Sequence, residues 1–178
     1  MKNKENTHIN LKIKKIAISL YLSVTVLLTS CGLYSFTGAS YGLAKTVSID
    51  YFQNMASIVV PTLSNTFTEA LNDKFVKQTP LNLVTKDADL SFEGEIRGYT
   101  VNSIAVTAEE VASKNRLTIT VHVKFVNKHE DKWSFDRDFS AYEDFNSTQS
   151  LESVQGELIK TIVDKLIEDI FNASVANW

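Results

Sequence analysis

One cysteine, Cys31, is the whole thiol content of the chain, so no disulfide can close within it. Any exported domain built from this sequence is therefore held by its core alone. Histidine is nearly as scarce, with only His8, His122 and His129. No HxxxH, CxxC or Gly-rich phosphate loop occurs, so the short motifs of zinc, redox and nucleotide chemistry are missing. A Ser/His/Asp set assembled in space stays open, because triads need not be close in sequence. The carboxylates do not form a catalytic pair by spacing. Glu109 and Glu110 fall in a polar stretch, and Asp136 and Asp138 alternate as a solvated strand face does. The 2 Pro and 6 Gly rule out a low-complexity chain, and 44% apolar with 22% charged residues is the composition of a globular domain.

Long apolar runs are also absent. The apolar run near the start, Ile16 to Leu28, has thirteen residues without a charge, short of the ~20 that a membrane-spanning helix needs. Five lysines precede it (Lys2, Lys4, Lys12, Lys14, Lys15), which makes a basic n-region and a short apolar h-region. At its end Leu28-Thr29-Ser30-Cys31 resembles a bacterial lipobox, in which the thiol takes a diacylglycerol and the chain is cut before it. Competing readings are an ordinary signal peptide with a stray Cys and an uncleaved anchor. Position, basic flank and uniqueness favour lipid attachment at Cys31. The expected organisation is a signal peptide over 1–30, a lipidated tether over 31–44, and a single domain over 45–178. Without the leader's five Lys and Glu5, 13 basic and 20 acidic residues remain, a formal charge of −7. General nucleic-acid binding, which wants a basic footprint, is excluded by that balance.

The tether GLYSFTGASYGLA is uncharged. Its Tyr34, Phe36 and Tyr41 fit two roles, at the membrane interface or packed on the domain. Thr46 to Phe52 alternates as a strand, with Val47, Ile49 and Tyr51 on one side. Leu63, Phe67, Leu71 and Phe75 predict a helix from about Pro61 to Lys77. Leu90, Phe92 and Ile96 share one face of the next strand. After Gly98 the apolar phase moves to Tyr99 and Val101, the mark of a bulge. Ala108 to Asn115 reads as a hairpin loop. Leu117 to Val126 alternates most clearly, with Leu117, Ile119, Val121, Val123 and Phe125 inward and Thr118, Thr120, His122 and Lys124 outward. Asn127 to Asp131 turns the chain, and Trp133, Phe135 and Phe139 mark another strand. A last helix, about Leu151 to Ala173, carries a broad apolar face from Val154 to Phe171. The expected fold class is α+β: a single four-stranded, mostly antiparallel sheet with two helices packed on one face, in the order β-α-β-β-β-α.

Against the acidic background, Lys114, Arg116 and Lys124 form a basic stripe around His122, which Arg97 on a neighbouring strand extends. Such a stripe holds phosphate by charge-assisted hydrogen bonds. A strand face balanced by Glu93 and Glu95 is the competing reading.

The lipobox followed at once by GLYSFTGAS, the strand NRLTITVHVKF, and the tail DFNSTQSL…LIKTIVDKLIEDIFNASVANW resemble the LptE family of lipopolysaccharide-assembly lipoproteins of Gram-negative bacteria. The resemblance implies a non-enzymatic protein with no cofactor and no metal. It implies a lipid anchor in the outer membrane facing the periplasm, an LptD-type β-barrel as partner that the protein plugs and helps to fold, and a part in delivering lipopolysaccharide. The absence of any acid between Cys31 and Asp50 agrees with outer-membrane sorting. The family's lipopolysaccharide contacts do not align to positions here, so Arg97, Lys114, Arg116 and Lys124 rest on strand alternation alone. A periplasmic binding or scaffold lipoprotein of another envelope complex is the alternative.

Overall fold

The computed structural model describes residues 42–104 and 113–175. The leader, Cys31, the aromatics Tyr34, Phe36 and Tyr41, and residues 108–112 of the loop expected over Ala108 to Asn115 lie outside them, while Lys114 and Asn115 of that loop are already strand. Strand β1 (Thr46–Ile49) and the short β2 (Gln53–Asn54) lead to helix α1 (Leu63–Gln78). Strand β3 (Asn82–Leu83) follows, then the three long strands β4 (Leu90–Ile104), β5 (Lys114–Asn127) and β6 (Phe135–Asn146), and helix α2 (Leu151–Ser174). A 3-10 turn, Asp131–Trp133, connects β5 to β6.

The class is α+β with both helices on one face, but two expectations are corrected. The sheet has six strands, not four, and it is mixed rather than mostly antiparallel. Its order is β3-β1-β4-β5-β6, with β2 also on β4. β1 runs parallel to both β3 and β4, and β2 runs parallel to β4. The reason is topological: α1 carries the chain from β1 across to β3 as a crossover, and a helical crossover brings the chain back parallel. β2 and β3 have two residues each, too short to show any alternation.

A further correction concerns Tyr51 and Phe52. The alternation expected from Thr46 to Phe52 stops at Ile49, and Phe52, not Tyr51, is buried (0% against 54% exposed). Ile49 pairs with Phe92 and Gln53 with Glu95, so four steps on one strand match three on the other. The extra residue turns Phe52 inward, and its N–H donates to Thr68 Oγ1 at 3.1 Å. Pro61 lies in the turn ahead of α1 rather than in its first turn; the Leu63 N–H donates to the Val60 carbonyl there at 3.2 Å.

Other expectations hold. Leu117, Ile119, Val121, Val123 and Phe125 are all fully buried. The phase change in β4 is a bulge between Ile96 and Gly98 in the pairing with β5. Burying each such Leu, Ile, Val or Phe contributes roughly 1.5–3 kcal/mol. Phe75 of α1 touches Phe92 of β4 (4.9 Å between ring centroids) and Phe171 of α2 (5.2 Å), so both helices share one core over one face. Gly94 is required there. A Cβ at that position would lie 2.5 Å from the Phe52 ring and 2.1 Å from the His122 carbonyl oxygen. Among the described residues no helix is long and apolar enough to cross a membrane.

Candidate functional site

The side of the sheet away from the helices carries the candidate residues. Alternation along β5 sends Thr118, Thr120, His122 and Lys124 there. The antiparallel registers set Glu93 and Asp136 on either side of Lys124, and Glu95 and Asp138 on either side of His122. The bulge adds Arg97 to the same face.

These groups pair across strands. Lys124 Nζ lies 3.4 Å from Glu93 Oε2. His122 lies between two carboxylates, with Nδ1 2.8 Å from Asp138 Oδ1 and Nε2 2.8 Å from Asp136 Oδ1. Arg97 Nε donates to Glu95 at 2.8 Å and Nη1 to Asp138 at 3.3 Å. The Glu95 hydrogen bond, aided by the charge of Asp138, raises the Arg97 pKa above its ordinary value. Farther along, Arg116 donates through Nε and Nη2 to both oxygens of Asp144, at 2.7 and 2.9 Å. Its guanidinium also stacks 3.6 Å from the centre of the Tyr142 ring. That hydrogen bond raises the Arg116 pKa and holds Asp144 below the usual carboxylate range.

The structure thus brings Arg97 and Lys124 into one cluster with His122, and places Lys114 and Arg116 at the other end of β5. It does not leave a plain basic stripe. Glu93, Glu95, Asp136 and Asp138 outnumber Arg97 and Lys124, so the first cluster is acidic. Counted over the described residues, the second end is the more cationic one, with Lys114 and Arg116 beside Asp144. The bidentate contact uses two of the five guanidinium donors of Arg116, and the others are available to an anion. The balancing acids of β4 were legible from alternation; those of β6 needed the register, which no local pattern supplies.

Sequence reasoning missed a second feature. Met55, Ile58 and Val59, between β2 and α1, are 62%, 54% and 61% exposed, and Tyr51 stands beside them in sequence with its hydroxyl on Asn65 at 2.9 Å. The available signal was the absence of any charge from Tyr51 to Thr68.

A family model described as LptE, lipopolysaccharide-assembly, matches residues 44–174. A comparison with curated protein sequences finds no match. Among solved structures, a minor lipoprotein from Acinetobacter baumannii is similar with a TM-score of 0.50 at 13% identity, covering 74% of this chain and 92% of that one. A hypothetical protein from Chlamydia trachomatis has a TM-score of 0.51 at 9% identity, covering 75% and 99%. At such identities the likeness is one of fold.

Proposed function

The chain belongs to the LptE family of lipopolysaccharide-assembly proteins, and from that premise we propose that it is the lipoprotein subunit of an outer-membrane lipopolysaccharide translocon. In this reading Cys31 carries the lipid, the domain faces the periplasm, and its partner is an LptD-type β-barrel that it plugs and helps to assemble. The role is structural rather than enzymatic. The observation that carries the reading is the family match over almost the whole described domain, 44–174. The leader and the single cysteine support the anchor. One acyl chain gives a binding constant of only ~10⁴ M⁻¹, whereas several hold a protein almost permanently.

The lipopolysaccharide contact is proposed at Arg97, Lys114, Arg116 and Lys124. An anionic glycolipid is repelled at long range by a domain of charge −7, so a local cationic site must do the binding. Arg116 meets that requirement best, because its contact with Asp144 occupies only two of its five guanidinium donors.

Purification of the full chain from membranes in mild detergent tests the reading. A large β-barrel recovered in stoichiometric amount is the expected result. Recovery of soluble or inner-membrane proteins instead would favour a scaffold lipoprotein of another envelope complex.

A further inference from the structure

Asp89 gathers one end of the domain. Its Oδ2 accepts from the Lys45 N–H at 2.8 Å, and its carbonyl accepts from the Lys128 N–H at 3.0 Å. Lys86 lies just ahead of it, in the loop that leads from β3 to β4. The chain enters the domain at this same end. A Cβ on Gly42 would lie 3.1 Å from Glu130 Oε1. The other oxygen of Glu130 accepts from Trp133 Nε1 at 3.0 Å and from Lys132 Nζ at 3.2 Å. Leu43, the next residue of the chain, is 78% exposed, and Trp133 is 39% exposed. An aliphatic and an indole side chain therefore both stand in water beside the entry point.

The lysines at this end differ from those elsewhere. Lys74, Lys77, Lys124, Lys160 and Lys165 each hold a carboxylate. Lys45, Lys86 and Lys128 are exposed and hold none among the described residues. Asp89 is engaged by Thr46 and the backbone, and Glu130 by Trp133 and Lys132. With Lys132, Asp87 and Asp131 included, four lysines balance four acids here, so the whole −7 lies on the rest of the mature chain.

We propose that this end docks on the headgroup surface of an anionic phospholipid bilayer, the one that holds the Cys31 lipid. The inference rests on the Cys31 anchor of the proposed function and adds an orientation to it. From Cys31 to Gly42 the chain is uncharged and, at eleven residues, spans at most ~40 Å. So short a tether holds the entry end near the bilayer at high effective concentration, and a small surface is then enough. Tryptophan favours the headgroup level, and lysines lay their stems on apolar surface while the ammonium reaches phosphate. Anionic lipid attracts the unpaired Lys45, Lys86 and Lys128, and it repels the acidic remainder, which is turned away from the surface. Met55, Ile58 and Val59 are exposed at the other end of β1 and β2, up to about 26 Å away. No lysine or arginine lies between Tyr51 and Thr68 to hold phosphate there. Docking uses only the loops at the entry end and leaves both helices and the open sheet face to the partner barrel.

The test uses the full lipidated chain in vesicles of phosphatidylethanolamine with a minority of phosphatidylglycerol. Trp178→Phe leaves Trp133 as the one indole, and lipids brominated at acyl carbons near the headgroup quench an indole that touches them. Flotation with the vesicles reads the anchor, and quenching reads the docking. Trp133 should be quenched, and Val59→Trp at the other end, with Trp133→Phe and Trp178→Phe, should not. Lys45→Glu with Lys86→Glu and Lys128→Glu should cut Trp133 quenching severalfold while the chain still floats. Raising the salt should act in the same direction. If the triple variant loses its cooperative melt, the comparison of Trp133 with Val59→Trp alone decides. A floating chain with Trp133 unquenched, Val59→Trp quenched as strongly, or a folded triple variant quenched like its parent would overturn the docking and leave the anchor standing. A chain that does not float overturns both.

Discussion

Thr46 and Asp89 hold each other by three hydrogen bonds. The Thr46 N–H (3.0 Å) and hydroxyl (2.9 Å) both donate to Asp89 Oδ2, and the Asp89 N–H donates back to Thr46 Oγ1 (2.9 Å). The Lys45 N–H adds a bond to the same oxygen at 2.8 Å, and His129 Nε2 lies 3.0 Å from the other. One carboxylate therefore ties the start of β1, the start of β4 and the turn after β5, at the point where the chain enters the domain.

These donors, the Lys45 N–H foremost and then the Thr46 hydroxyl, hold Asp89 far below its ordinary pKa of 3.8. A depressed carboxylate pKa stabilises the fold above the unfolded value and loses that contribution as pH falls below it. Asp89→Asn should therefore melt earlier than wild type at pH 7, and the gap should narrow as pH drops below 3.8. Thermal melts of both proteins across pH 2–7 check this; a gap independent of pH would mean that the charge is immaterial.

The helix face gives a stability contrast. Ile162 is fully buried, and Ile162→Ala should cost about 2–5 kcal/mol. Lys160 makes an exposed contact with Asp164 (3.2 Å), and Lys160→Ala should cost well under about 1 kcal/mol. Equal shifts in urea midpoints would reverse the assignment of the buried face.

The two strand glycines of β4 should respond differently to a methyl group. Gly94→Ala drives a Cβ into Phe52 and the His122 carbonyl, and overpacking of this kind costs about 1–3 kcal/mol. Gly98→Ala meets the Thr120 Cβ at 3.1 Å on the open face and should cost less. Denaturant melts order the two; a milder Gly94→Ala would contradict the packing of Phe52.

Lipopolysaccharide binding by the purified full chain tests the cationic residues. Reversing both charges (Arg116→Glu with Lys124→Glu) should abolish it while the chain still melts cooperatively. Asp144→Asn, which removes the carboxylate held by Arg116, should strengthen it severalfold. If neither variant changes binding, the strand face is a solvated ion-pair network and nothing more.

Much of this molecule was legible from side-chain period. β5 announced itself because five apolar residues alternate without interruption, and the bulge in β4 because the phase moved by one at Gly98. The parallel strands were not legible, since β2 and β3 are two residues long and are made by pairing rather than by pattern. The face of Phe52 was hidden for a related reason: an inserted residue between β1 and β2 reverses the alternation that the sequence continues. At the candidate site, strand phase found the four cations and the β4 acids Glu93 and Glu95, but not the β6 partners. Asp136, Asp138 and Asp144 reach His122, Arg97 and Arg116 only through the β5–β6 register.

The anchor has its own test. Cys31→Ala should leave an uncleaved or mislocalised precursor, read by intact mass and membrane fractionation. A mutant that matured and fractionated normally would remove Cys31 from the account.

The central claim is a part in lipopolysaccharide assembly, and depletion tests it most directly. Cells in which this chain is switched off should be followed for the amount of newly made lipopolysaccharide reaching the outer surface. The account predicts that surface delivery falls as the chain disappears, together with the amount of folded partner barrel. Unchanged delivery, with the chain fully depleted, would contradict it.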